Sequence, residues 1–145
     1  MYLTRNVIRK TEFLNADEDF KTGASVIFLG MVRAESEGKK VLYLDYEAYE
    51  EMAEQMIGEL ITSALDQWPL DEVKILHRTG RVWLGQIAVA IAVKSVHRDE
   101  AYQASRYLIE KIKYKVPIWK KEYFADGTSQ WSLCGSEHVN LQTSY

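Results

Sequence analysis

Residues 113–122 combine four lysines, two aromatic side chains, a proline and a glutamate within a chain that is otherwise mildly acidic. Pro117 interrupts any helix, and the side chains of an extended segment after it alternate between two faces. Lys120 and Glu122 then share one face, whereas Lys121 lies on the other. A lysine beside a carboxylate suits an anionic ligand, because the carboxylate positions the ammonium group and tunes its proton affinity. An edge strand protected by lysines is the structural alternative.

Lys113 lies in the last turn of a predicted helix, where the helix dipole favours a cation in any case. Its significance comes from Lys120 nearby. A lysine desolvated beside other cations either loses its proton more readily and acts as a base or nucleophile, or stays charged and stabilises developing negative charge. The sequence leaves both roles open.

His97 and Arg98 lie where a predicted strand passes into a predicted helix. Helix starts favour acidic side chains, so two basic residues there are explained if they share an anion with the free backbone N–H groups. A surface arginine beside a capping histidine is the structural alternative. Arg33 follows another predicted strand and is either an anion contact or a solvated strand end.

Three other residues of reactive type have weaker patterns. His77 follows a strand and precedes a turn at Gly80, as in an ordinary hairpin, so we interpret it as structural. Cys134 and His138 lie in a tail, residues 132–145, that contains no lysine or arginine. Without a base at a recognisable spacing, the thiol is interpreted as incidental.

The composition of the chain excludes several classes of protein. With 145 residues, 47% of them apolar, residues 1–145 are expected to form one domain that ends in a flexible tail. A formal charge of −3 argues against bulk nucleic-acid binding. One cysteine and three scattered histidines form neither a disulfide framework nor a zinc site. The N-terminus lacks the apolar core of a signal peptide and no apolar run is long enough to span a membrane, so a cytosolic protein is expected.

Apolar periodicity predicts two long amphipathic helices, over residues 49–68 and 99–113. Strands are predicted over residues 24–33, 41–48, 72–77 and 87–93, in a short piece between Gly80 and Gly85, and after Pro117. The first is expected to be a central strand because it is apolar on both faces, with Gly30 at a bulge or close approach. Residues 34–40 are predicted to be a mobile loop, and Asn15 to open a short helix toward Thr22.

Five motifs follow one another along residues 5–131. They are Phe28-Leu29-Gly30-Met31-Val32-Arg33; Tyr46-Glu47-Ala48-Tyr49 with Met52-Ala53; His77-Arg78-Thr79-Gly80; Ser95-Val96-His97-Arg98; and residues 113–122 with Asp126-Gly127 and Trp131. In order and spacing they resemble the family of large, catalytic subunits of molybdopterin synthase. Pro117-Ile118-Trp119-Lys120-Lys121-Glu122 is the most specific of the matches.

The resemblance implies an α+β chain with the α/β-hammerhead fold, an antiparallel sheet and two long amphipathic helices. It also implies a homodimer joined through its sheets, with a small ubiquitin-like sulfur-carrier subunit at each end of a heterotetramer. The carrier's Gly-Gly tail, ending in a thiocarboxylate, would enter a pocket and sulfurate cyclic pyranopterin monophosphate twice, giving the molybdopterin dithiolene. The enzyme would be a sulfurtransferase of molybdenum cofactor biosynthesis with no resident cofactor and no metal at this step.

The same resemblance assigns roles position by position. Lys113 and Lys120 match the family's catalytic lysines, and Glu122 matches the carboxylate near them. The residues that match the family's substrate pocket are Phe28, Arg33, His97 and Arg98. The chain departs from the family after Trp131, where an arginine often reaches the pocket, because residues 132–135 contain none.

Two other interpretations remain open at this stage. One is a noncatalytic homologue that binds the carrier but has lost activity. The other is a module that holds single-stranded RNA by stacking on the Lys/Trp/Tyr cluster, although the acidic balance and the absence of an RNA-binding signature count against it.

Overall fold

The computed structural model describes residues 1–14 and 20–133. Its strands are β1 (Leu3–Thr4), β2 (Ala24–Met31), β3 (Glu35–Ser36), β4 (Lys39–Ala48), β5 (Leu70–Arg78), β6 (Gly80–Trp83), β7 (Ile87–Ser95), β8 (Ile118–Phe124) and β9 (Ser129–Leu133). Its helices are α1 (Glu50–Gln67) and α2 (Arg98–Lys115), with a 3₁₀ turn over Lys10–Phe13. Of the short helix predicted from Asn15, residues 15–19 lie outside the described residues, and residues 20–23 are not helical.

The first sheet has the strand order β1–β5–β7–β2. Its centre is β7, in which every residue except Lys94 is buried. Both β5 and β2 pair antiparallel with β7, and the short β1 runs parallel to β5. The regular alternation of alanine with branched residues in β7 fits this place, because both faces of the strand are covered.

The prediction that residues 24–33 form a central strand is wrong, because β2 is the edge strand of the first sheet. Its two faces are nevertheless both apolar, since Phe28 packs against the main core cluster and Leu29 against a second, smaller cluster. The apolar pattern of β2 thus indicates that both of its faces are covered, but it does not indicate how many neighbouring strands pair with it. The register shift between Gly30 and Met31 confirms the predicted bulge.

The second sheet has the order β3–β4–β8–β9, and β6 also pairs with β4. Residues 34–40 were predicted to be a mobile loop, but they contain β3 and the turn of a hairpin with β4. The turn residues Glu37 and Gly38 have φ angles of 50° and 80°. Two successive positive φ values are typical of a type I′ hairpin turn, for which Glu-Gly is a weaker sequence signal than Asn-Gly.

Both helices form at the predicted places and pack on the first sheet. They bury their apolar stripes, which include Ala53 and Ile57 in α1 and Leu108 and Ile112 in α2. The main core cluster joins these stripes to residues of both sheets, so the two sheets and two helices share one interior. This arrangement confirms the α+β class and the hammerhead fold.

Candidate functional site

A pocket lined by several charged side chains lies between the two sheets. It is a cavity of about 180 Å³ between the end of β2, the start of β7 and the facing strands β4 and β8. The charged residues that line it are Arg33, Glu35, Lys113, Lys120 and Glu122. We call it the lysine pocket.

The fold places Lys120 and Glu122 together, as the alternation predicted. Both lie on the face of β8 that points into the lysine pocket, directly opposite Tyr46 and Leu44 of β4. Lys113 reaches the same space from the last turn of α2. The helix ends at an extended residue, Val116, immediately before the proline, so a helix end and a strand start present two ammonium groups to one pocket.

Arg33 enters the lysine pocket from the chain just after β2, beside the bulge at Gly30. A side chain at Gly30 would not fit, because its Cβ would lie 2.7 Å from Cγ1 of Val89 and 3.4 Å from the Phe28 ring. Phe28 is not among the residues that line the pocket, and its ring lies next to Gly30, which does line it. Glycine at this position therefore allows the close approach of β2 to the Val89 side chain of β7 at the edge of the pocket.

His97 and Arg98 do not line the lysine pocket. They line a more open surface depression with Gly23, Val96, Asp99 and Tyr102. This depression is at the start of β2 and the lysine pocket at its end, so the eight residues of β2 separate them by roughly 25 Å. Within one chain, the structure does not bring this predicted pair together with the lysines.

Sequence reasoning missed the position of His77, which had been interpreted as part of a hairpin. The side chain is buried, and its ring packs edge-on against Tyr46, with 5.2 Å between the ring centroids. Burial, followed by the charges of Lys113 and Lys120, lowers the pKa of His77 to about 4, although a hydrogen bond to the Arg78 carbonyl opposes the shift. No local sequence pattern links β5 to these lysines, because the link is made only by the tertiary fold.

The outer face of the second sheet carries the remaining residues of the basic and aromatic cluster. The Tyr43 ring lies between Trp83 and Tyr123, at centroid distances of 4.8 and 4.7 Å. Lys121 lies 5.2 Å from the centre of the Tyr123 ring and 5.4 Å from that of Trp131. Residues 113–122 are thus divided between two surfaces, and only part of the cluster serves the lysine pocket.

Neither a metal site nor a membrane-spanning helix is found within the described residues, 1–14 and 20–133. No group of three or more histidine, cysteine, aspartate or glutamate side chains is placed to hold a metal ion. None of the helices there is long and apolar enough to cross a membrane.

Comparison with known proteins assigns the chain to a family. Residues 3–115 match the model of the MoaE protein family. A molybdopterin synthase catalytic subunit from Nostoc sp. is 42% identical, over 82% of this chain and 73% of its own length. The X-ray structure of molybdopterin synthase from Staphylococcus aureus is 40% identical with a TM-score of 0.82, covering 90% of this chain and 95% of that one.

A complex of subunits 1 and 2 of molybdopterin-converting factor from Helicobacter pylori shares the fold, with a TM-score of 0.74 at 21% identity over 90% of this chain and 88% of that one. The residues matched by the family model span β1 to α2 and include all of the pocket lining except Lys120 and Glu122 of β8. By these matches the chain belongs to the MoaE protein family.

Proposed function

We propose that this chain is the catalytic subunit of a molybdopterin synthase and that sulfur is transferred in the lysine pocket. The observation that carries the proposal is the convergence of Arg33, Lys113 and Lys120 with Glu122 in one cavity between the sheets. In this proposal, the sulfur donor is the C-terminal thiocarboxylate of a small ubiquitin-like carrier subunit. The acceptor is cyclic pyranopterin monophosphate, which becomes the molybdopterin dithiolene.

Charge explains why such a pocket is needed. The thiocarboxylate and the cyclic phosphate are both anions and repel each other unless cations lie between them. The lysine pocket offers three cations, of which Arg33 is exposed at the rim while Lys113 and Lys120 are half-buried. A narrow cavity suits an extended Gly-Gly tail, because glycine brings no side chain into it.

The two lysines suit the chemistry. Opening the phosphate ring and replacing oxygen by sulfur on the pterin side chain involve proton transfer and developing negative charge, and a lysine can serve either need. Glu122 shares the strand face of Lys120 and can hold its ammonium group in place. No resident cofactor or metal takes part in this proposed step, and the proposed place of action is the cytoplasm.

A dimer would explain the separate position of His97 and Arg98. Among the described residues, no strand pairs with the outer edge of β2. This edge can pair with the same strand of a second copy, and a two-fold axis makes that pairing antiparallel. The start of β2 in one copy then lies beside the end of β2 in the other, which brings one chain's His97 and Arg98 toward the other chain's Arg33. We propose that each pocket is completed in this way and that each end of the dimer binds one carrier.

A reconstituted assay tests the proposed function. Purified chain is mixed with thiocarboxylated carrier and cyclic pyranopterin monophosphate, and molybdopterin is measured together with carrier binding. The proposal predicts binding and product formation, and a carrier lacking its two terminal glycines should give neither. Binding without product would favour a noncatalytic homologue, and neither activity, with retention of single-stranded RNA, would favour the RNA-binding interpretation.

A further inference from the structure

His77 is a buried titratable residue beside the lysine pocket to which the proposed function gives no role. Its side chain is 3% exposed and lies in β5. The ring contacts Tyr46, which lines the pocket and stands directly opposite Lys120 in the ladder of β4 and β8. The imidazole therefore lies one side chain behind the pocket wall.

The hydrogen bonds of His77 fix its tautomer. Nδ1 lies 2.8 Å from the carbonyl oxygen of Arg78. A carbonyl oxygen only accepts hydrogen bonds, so Nδ1 carries the hydrogen, and Nε2 of the neutral ring is left as an acceptor. The backbone N–H of His77 donates to the carbonyl of Tyr2 at 2.8 Å, so the main chain of the residue is held as well.

The groups around the ring keep it neutral. The Tyr46 ring contacts it from β4, and β7 places apolar Val89 opposite His77 in the sheet. The positive charges that act on it are those of Lys113 in α2 and Lys120 in β8. Burial and then the two ammonium charges lower the pKa of His77 to about 4. At neutral pH, the ring is therefore an uncharged acceptor beside two cations.

We propose that His77 is a positioning residue of the lysine pocket, whose Nε2 accepts a hydrogen bond from the ammonium group of Lys113 through one bridging water molecule. Lys113 is chosen because Lys120 already shares its strand face with Glu122, whereas Lys113 reaches the pocket from a different element, the last turn of α2. A neutral imidazole can fix the position of the Lys113 ammonium group without cancelling its charge. It also adds no third positive charge to those of Lys113 and Lys120. The effect on turnover rests on the proposed function, whereas the tautomer and the coupling to Lys113 do not.

Nitrogen-15 NMR on the full chain labelled at histidine tests the geometry without any assay of activity. The His77 ring should show the Nδ1–H tautomer at pH 7 and remain neutral down to about pH 5. Lys113→Met should raise the titration midpoint of His77 by about half a pH unit or more, because a neighbouring positive charge is removed. Lys115→Met, at an exposed position on the same helix, should leave it unchanged.

An Nε2–H tautomer, or a His77 midpoint that Lys113→Met does not move, would overturn the proposal. In the sulfur-transfer assay, His77→Phe should lower kcat by about tenfold or more with little change in KM, whereas His77→Gln, which keeps an acceptor, should stay within about threefold. Wild-type kcat in the phenylalanine variant would equally overturn it. If the wild-type chain transferred no sulfur at all, the proposed function would fail and the NMR result would still decide the role of His77.

Discussion

Glu122 shows how a single carboxylate contributes to a pocket built for anions. It lies two residues after Lys120 on the same strand face, opposite Leu44 of β4. Glu122→Gln keeps the shape of the side chain but removes the charge that we propose positions the Lys120 ammonium group, so turnover should fall by about tenfold with little change in stability. Glu110→Gln, at an exposed position on α2, is the matched control. Equal turnover in the two variants would show that the charge of Glu122 does not contribute to the reaction.

His77 predicts how the fold responds to acid. Its pKa is about 4 in the folded chain and near 6.5 when unfolded, so the unfolded chain binds the proton more tightly. The corresponding stability is fully present above about pH 6.5 and is lost as the pH falls toward 4, by about 3 kcal/mol. Urea unfolding at pH 7.5 and 4.5 measures this loss, which should be smaller by about 2 kcal/mol in His77→Phe. An identical loss in both chains would mean that His77 titrates normally.

At the scale of elements, two glycines hold β2 in place. A Cβ at Gly23 would lie 2.1 Å from the backbone oxygen of Val96, and one at Gly30 would lie 2.7 Å from the Val89 side chain. Each alanine variant should lower the free energy of unfolding, by roughly 1–3 kcal/mol, with Gly23→Ala the worse because a backbone atom cannot move aside.

Gly58→Ala is the control for these variants. Gly58 lies inside α1, and the nearest atom to its Cβ position would be on the Tyr2 ring at 3.6 Å, an ordinary contact. This variant should be neutral or more stable by up to about 1 kcal/mol, because alanine favours the helix. Chemical denaturation of all three variants measures the order, and a stable Gly23→Ala chain would contradict the close approach.

The elements also show what the sequence could and could not predict. Helices α1 and α2 were predictable because a 3.6-residue apolar stripe depends on local order alone. The edge position of β2 and the hairpin of residues 34–40 were not, since one depends on strand pairing and the other on turn geometry. In the site, the alternation after Pro117 placed Lys120 and Glu122 correctly, whereas the contact of His77 with the site joins strands that are distant in sequence.

At the scale of the whole molecule, the separation of Arg98 from the lysine pocket predicts complementation between subunits. Arg98→Ala and Lys113→Ala should each be nearly inactive as pure dimers. After subunit exchange, half of the dimers are mixed, and each has one pocket with all its residues intact, so roughly a quarter of the wild-type activity should return. Light scattering on the wild-type chain should give twice the chain mass. A monomer, or no activity after exchange, would contradict a pocket shared between chains.

Single-turnover sulfur transfer tests the central claim most directly. Wild-type chain, Lys113→Ala, Lys120→Ala and the exposed control Lys115→Ala are each mixed with thiocarboxylated carrier and cyclic pyranopterin monophosphate, and loss of thiocarboxylate is followed by mass spectrometry. If the lysine pocket transfers the sulfur, the first two variants should be slower by about a hundredfold or more while the control matches wild type, because positioned proton transfer or charge stabilisation contributes on that scale. Near-normal rates in both Lys113→Ala and Lys120→Ala, with the fold intact, would contradict the claim.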